Sequence, residues 1–253
     1  MKTKSNSAQS LTAANQRDAH AIAVLTDQGN NLYQQGQIAE ALECFRAVLA
    51  LLDSKKAERG KRVAIAHYNA ARAFAALGET EPALDHYRSA ILDFPRFPQA
   101  HNNLGMMLNE LGRYEEAGQH FQKAIAADPL FASAYYGLGV ALQSAGDDFN
   151  ASFAYQKALN LNPDLYAAWV NLGLICYAIG SLDVAINCYT EAIALEPQNA
   201  ELYHSIGIAY MAAGQLQDAV RSLGRALELQ PDFEAARDAL QEAMLFEMAP
   251  PAQ

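Results

Sequence analysis

At 253 residues, 51% hydrophobic and 18% charged, the chain is too apolar for a disordered protein. It has no run approaching the roughly 20 apolar residues that span a bilayer. The net charge of −10 argues against a phosphate backbone as partner, although residues 1–63 carry +3 and the remainder −13.

Residues 1–15 are rich in Ser, Asn, Gln and Thr and read as a disordered polar tail, with a first helix starting between Asn15 and Ile22. The tail lacks the apolar core of a secretory signal and shows no lipidation motif, so a cytoplasmic location is the simplest expectation. From there to residue 248 the chain repeats itself. The first unit, 22–63, has Gly29 and Gly36 seven apart, then Ala41, Phe45 and Val48. Eight extra residues around SKKAERGKRV should lengthen its facing helices or make an exposed turn at Gly60. The second unit, 64–97, has Ala71 where the others carry glycine, then Gly78, Ala83, Tyr87, Ala90 and Pro95. Units 98–131, 132–165, 166–199 and 200–233 keep both glycines, at 105 and 112, 139 and 146, 173 and 180, and 207 and 214. Prolines fall at 95, 129, 163, 197 and 231, five positions in register on a 34-residue period. Residues 234–248 form an amphipathic segment, with Leu240, Met244, Leu245 and Phe246 opposite Arg237, Asp238, Gln241 and Glu242. It reads as a capping helix, and 249–253 as a tail ended by Pro250-Pro251.

Each unit is two antiparallel helices. The first glycine and the small alanines admit close helix approach, and the second glycine supplies the left-handed conformation that ends the first helix. The proline falls where a missing N–H costs least, at the start of the next unit. One pair cannot bury its own apolar face, so neighbours must stack. The fullest copy is YAAWVNLGLICYAIGSLDVAINCYTEAIALEP, with Trp169, Leu172-Gly173, Gly180, Ala185, Tyr189, Ala192 and Pro197. On these residues the chain resembles the tetratricopeptide-repeat family over 22–248. The resemblance implies an all-α, right-handed superhelical α-solenoid: a single array over 16–248, its concave surface lined by the first helix of each pair and used to hold a peptide or a partner's helix.

No catalytic constellation, cofactor motif or metal motif is visible. His20, His67, His86, His101, His120 and His204 are scattered and read as surface or packing residues. Asp147, Asp148, Asp183 and Asp218 sit at the turns within pairs and read as capping or solvated carboxylates. Cys44, Cys176 and Cys188 fall on helices and read as buried reduced thiols. Lys55, Lys56, Arg59, Lys61 and Arg62 form a positive cluster that is either a solvated loop or a dock for an anionic surface.

The first helices carry the more informative pattern. Positions three before, one after and four after the first glycine share a face. They read Tyr68, Arg72 and Ala75 in the second unit and Asn102, Met106 and Asn109 in the third. They read Tyr136, Val140 and Gln143 in the fourth, Val170, Leu174 and Tyr177 in the fifth, and His204, Ile208 and Met211 in the sixth. Units four to six should therefore present an apolar trough. It either takes an amphipathic helix or peptide or is covered by the superhelical twist, the terminal helix or a second copy in a homo-oligomer. A second row holds Asn69, Asn103 and Asn171, each able to bond a peptide backbone. It resembles the asparagine ladder in the repeat region of the nucleocytoplasmic N-acetylglucosamine transferases. Gly137 and Ser205 break the row, and capping of inter-repeat carbonyls is the other reading. Asn30 and Asn69 also match the asparagines of the carboxylate clamp in chaperone-binding members. The clamp's cationic positions here read Thr26, Gln99 and Asn103, which removes its charge.

The reading is a non-catalytic scaffold, adaptor or assembly factor that binds a protein partner, without nucleic acid or membrane insertion. The competing reading is a substrate-selecting or regulatory subunit of an enzyme complex such as a glycosyltransferase.

Overall fold

The computed structural model describes residues 2–53 and 60–248, with side chains described for 16–53 and 60–246. Among the described residues there are thirteen helices and no strand. In a repeat array each unit packs mainly on its neighbours, so no one core need run through it. The packing here gathers into two compact units, Met1–Pro129 and Leu130–Gln253.

The N-terminal unit holds α1 (Lys2–Gln34), α2 (Ile38–Asp53), α3 (Lys61–Ala76), α4 (Thr80–Asp93), α5 (Pro98–Glu110) and α6 (Tyr114–Ala127). Helix α1 runs from Lys2, ahead of the start expected between Asn15 and Ile22. No glycine or proline interrupts residues 2–28, so nothing in the backbone stops the helix from extending. The eight extra residues lengthen the helices on both sides. Helices α2 and α3 have 16 residues each, against 14 in α4 and 13 in α5. Gly60 then turns at φ 135°. Lys55, Lys56 and Arg59 of the basic cluster lie outside the described residues, as does the expected tail at 249–253.

The C-terminal unit holds α7 (Ala132–Ser144), α8 (Asp148–Leu161), α9 (Tyr166–Ala178), α10 (Leu182–Leu195), α11 (Ala200–Ala212), α12 (Leu216–Leu229) and α13 (Glu234–Met248). Its core runs through Tyr155, Leu172, Ile175, Cys188, Tyr189 and Ile206. The glycine inside each first helix is a steric requirement here. A Cβ on Gly139 would lie 2.5 Å from the Tyr155 ring, and one on Gly173 2.8 Å from the Tyr189 ring. The glycine at the turn does separate work. Gly146, at φ 83°, donates its N–H to the Gln143 carbonyl, and Asp147 N–H reaches back to Leu142, which satisfies two end-of-helix carbonyls.

The closing prolines have a second role that the sequence did not show. Each carbonyl in the following set accepts a side-chain hydrogen bond from the residue six places on. His101 Nε2 donates to Pro95 at 3.0 Å and Trp169 Nε1 to Pro163 at 2.8 Å. Tyr203 Oη donates to Pro197 at 3.4 Å and an Arg237 guanidinium nitrogen to Pro231 at 2.7 Å. The signature tryptophan thus ties one unit's end to the next unit's first helix. Histidine, tyrosine and arginine do the same because all carry a donor at the tip of a long side chain.

Helix α13 buries a different face from the one its large residues suggest. Ala236, Ala239 and Ala243 are buried with Leu240 beside them, whereas Met244 and Phe246 are exposed and Leu245 is 71% exposed. The spacing 236, 239, 240, 243 is one helical stripe, and small residues let the helix lie close on Ala219 and Leu223 of α12. Large apolar residues at a helix end that meet none of the described side chains stay in solvent.

Candidate functional site

In the N-terminal unit the first helices α1, α3 and α5 and the turn before α5 line a cleft of about 710 Å³. Its walls are aromatic. Tyr68 packs on Phe97 at 4.9 Å between ring centroids, and Phe94 on Phe97 at 5.8 Å. Its charges are positive. The Arg72 guanidinium sits 4.3 Å from the Tyr33 ring centroid and 5.8 Å from that of Tyr68, and Lys61 Nζ lies 5.8 Å from the centroid of Phe94. Arg96 completes the set. Thr26, Asn30, Asn69 and Gln99 also line it, which are the residues that match clamp positions in the sequence. Sequence reasoning found no cation at those positions. The fold brings three from elsewhere: Lys61 from the first turn of α3, Arg72 one turn beyond Tyr68, and Arg96 from the turn after Pro95.

In the C-terminal unit the inner face of α7, α9 and α11 is apolar. Tyr136 and Val140 are half-buried against the core cluster that holds Tyr155 and Leu172. Val170 is half-buried on α9. Leu174 is 46% exposed and Tyr177 36% exposed, so the face opens most fully on α9. Ile208 and Met211 pack against the cluster of Ala219, Leu223, Ala239 and Ala243, so α12 and α13 shelter part of this row. His204 packs on Phe233 at 5.1 Å, and burial lowers its pKa below the usual imidazole value. Phe149 and Phe153 form a second exposed apolar pair on α8, edge to face at 4.9 Å. Their i, i+4 spacing in the sequence was the available signal for that pair.

Two of the three asparagines of the row, Asn103 and Asn171, are engaged within the protein. Asn103 donates to the Tyr68 and Tyr87 hydroxyls at 3.3 Å each. Asn171 donates to the Tyr155 hydroxyl at 3.1 Å, and that hydroxyl donates in turn to Gln143 Oε1 at 2.7 Å. These amides therefore bond tyrosine hydroxyls of the preceding helix pair, where the sequence reading offered peptide backbone or inter-repeat carbonyls. Asn69 has no tyrosine in that register, because the preceding pair carries Phe45. Ser205 spends its hydroxyl on the Glu201 carbonyl at 2.8 Å.

Two histidine pairs also went unread. His67 and His86 meet Nδ1 to Nδ1 at 2.9 Å, as do His101 and His120. Both pairs are 19 residues apart, and the second lies 34 residues after the first, which is a signal the repeat alignment contains. A carbonyl can only accept, so His101 carries its proton on Nε2, facing Pro95, and its bare Nδ1 accepts from His120 Nδ1–H. Burial, then the neighbouring His101 and Lys123, push the pKa of His120 down to about 4, and burial is also the first cause of the lowered values at His86 and His101. Cys44, Cys176 and Cys188 are buried and free, and burial pushes the Cys188 thiol up to about 12. Asp147 caps α8 by accepting from Asn150 N–H at 3.1 Å. Among the described residues no group of three His, Cys, Asp or Glu side chains is placed to hold a metal ion. Nor is any helix there long and apolar enough to cross a membrane.

Consecutive antiparallel helix pairs, on a 34-residue period from the second unit onward, with glycine against an aromatic ring in most pairs and a proline at every junction after the first, define a tetratricopeptide-repeat protein. Such proteins are, as a class, protein-interaction scaffolds. The chain belongs to the family of the cilia and flagella-associated protein 70 C-terminal domain, whose profile matches residues 51–251. Among solved structures it is similar to YrrB, described as a TPR protein with an unusual peptide-binding site. That similarity is 26% identity over 70% of this chain and 92% of that chain, with a TM-score of 0.63. It is similar to MamA at 26% identity over 75% of this chain and 98% of that one, with a TM-score of 0.61. Pseudomonas aeruginosa PilF shares the fold, with 21% identity, 89% and 99% coverage and a TM-score of 0.75. No curated protein matches the chain.

Proposed function

We propose that the protein is a non-catalytic adaptor or assembly factor, acting in the cytoplasm, that holds an apolar peptide or amphipathic helix of a partner on the inner face of its C-terminal unit. The observation that carries this reading is the row of Tyr136, Val140, Val170, Leu174, Tyr177, His204, Ile208 and Met211, open to solvent at Leu174 and Tyr177. Leu174, 46% exposed, leaves nearly half of its apolar surface in water. Covering it with a partner's apolar side chain returns about 25 cal/mol for each Å² buried. The peptide-binding site described for YrrB, on a chain 26% identical, supports the same use of the fold. Asn103 and Asn171 act as internal struts in this reading, so it does not rest on an asparagine ladder.

A display selection of helical peptides on the full chain tests the proposal. Enriched peptides should carry apolar residues at i, i+3 and i+4 spacing, and Leu174→Glu should weaken them about tenfold or more. Leu174 is exposed, so the variant should melt like the wild type. Enriched peptides that bind Leu174→Glu and wild type equally would exclude this face.

A further inference from the structure

We infer that the cleft of the N-terminal unit is a second binding site of opposite chemistry, one that takes an acidic peptide segment. Its anionic groups meet Arg72, Lys61 and Arg96, and its apolar side chains meet the half-buried Phe94.

Four observations carry this. First, among the described residues no carboxylate pairs with any of the three cations, and no Asp or Glu lines the cleft. Asp27 on α1 lines a smaller neighbouring cavity of about 240 Å³. Second, Arg72 lies beside the Tyr33 and Tyr68 rings. Ring contacts orient a guanidinium but use none of its five N–H donors, and that planar fork matches the two oxygens of a carboxylate or the oxygens of a phosphate. Third, Asn69 is only 6% exposed and lines the cleft, yet its amide has no hydrogen-bond partner among the described residues. Its amide faces the cleft and can bond a peptide backbone, which offers both a donor and an acceptor. Fourth, the chain as a whole is at −10. Three unpaired cations gathered in one cleft of an acidic protein focus a local field on an anion that the rest of the surface repels.

A peptide fits better than a nucleic acid. The aromatic walls are packed against one another, Tyr68 on Phe97 and Phe97 on Phe94, so their faces are not free to stack bases.

The test is fluorescence anisotropy with the full chain and labelled peptides of alternating glutamate and phenylalanine. A second peptide replaces glutamate with phosphoserine, a third replaces it with glutamine, and oligouridylate is the nucleic-acid probe. The glutamate or the phosphoserine peptide should bind, the tighter of the two naming the source of the anion, and the glutamine peptide should be at least about tenfold weaker. Binding should weaken as NaCl rises from about 0.05 M to about 0.5 M. Arg72→Gln should cost about tenfold or more, and Arg72→Lys should recover part of it. Lys61→Gln with Arg96→Gln should cost a comparable factor and leaves the contacts of Arg72 with the two tyrosines intact. Leu174→Glu should leave this binding unchanged, which separates it from the site in the other unit. Equal binding of the glutamine peptide, wild-type affinity in the cation variants, no binding of either anionic peptide, or tighter binding of oligouridylate would each overturn the inference.

Discussion

The two units follow one plan, and their first helices carry inner positions of opposite chemistry. In the N-terminal unit the position after the first-glycine site is Arg72, lying beside two tyrosine rings. In the C-terminal unit the equivalent position on α9 is Leu174, nearly half exposed. Beneath both, the framework is the same: buried alanines, an aromatic ring under the first helix, and an asparagine amide on a tyrosine hydroxyl. The difference teaches that the period fixes the helices and leaves the inner positions free to take any chemistry. Specificity in such a protein therefore sits in the residues that the repeat pattern does not specify.

The comparison can be broken first at the framework. Gly139→Ala pushes a methyl to 2.5 Å from the Tyr155 ring and should cost about 1–3 kcal/mol in urea unfolding. Ala71 occupies the equivalent place in the second repeat and is fully buried, so Ala71→Gly should cost about 1 kcal/mol for the opposite reason, loss of helix propensity. The tyrosine struts come next. Tyr155→Phe forfeits the bonds to Gln143 and Asn171 and should cost about 1–2 kcal/mol. Tyr87→Phe forfeits one longer bond from Asn103 and should cost less.

The histidine pairs give a third difference, because they belong to the N-terminal unit. His86, His101 and His120 hold protons less tightly folded than unfolded, chiefly because they are buried. The stability they contribute is therefore complete above the ordinary value of 6.5 and is lost as pH falls toward about 4, where His120 takes its proton in the folded chain. Urea midpoints measured from pH 7 downward should fall through that window, and His120→Gln should flatten the slope. Smallest of all is the exposed Arg113–Glu116 pair, with contacts of 2.6 and 2.8 Å. Glu116→Ala should shift stability by about 0.5 kcal/mol or less.

The helix pairs were legible because their signals are local and repeated. Gly36, Gly78, Gly112, Gly146, Gly180 and Gly214 all sit at positive φ, and each could be read from spacing alone. The inner row Tyr136 to Met211 was legible for the same reason, as helical periodicity. What escaped depends on contacts across helices. Arg72 could be placed on a face, but its contacts with Tyr33 and Tyr68, and the arrival of Lys61 and Arg96 beside it, need the packing of three first helices. The role of Trp169 escaped because a donor to a carbonyl six residues back is invisible to an apolar-periodicity reading. Helix α13 misled because Met244, Leu245 and Phe246 outweigh Ala236, Ala239 and Ala243 in hydrophobicity, while close approach selects the alanines.

Backbone amide shifts of the full chain, recorded with the glutamate–phenylalanine peptide and then with a leucine-rich amphipathic helix, test the two-faced account most directly. The account predicts that the acidic peptide moves resonances at Tyr33, Tyr68 and Arg72, and that the apolar helix moves those at Leu174 and Tyr177. Both ligands moving the same set, or neither moving its own, would contradict it.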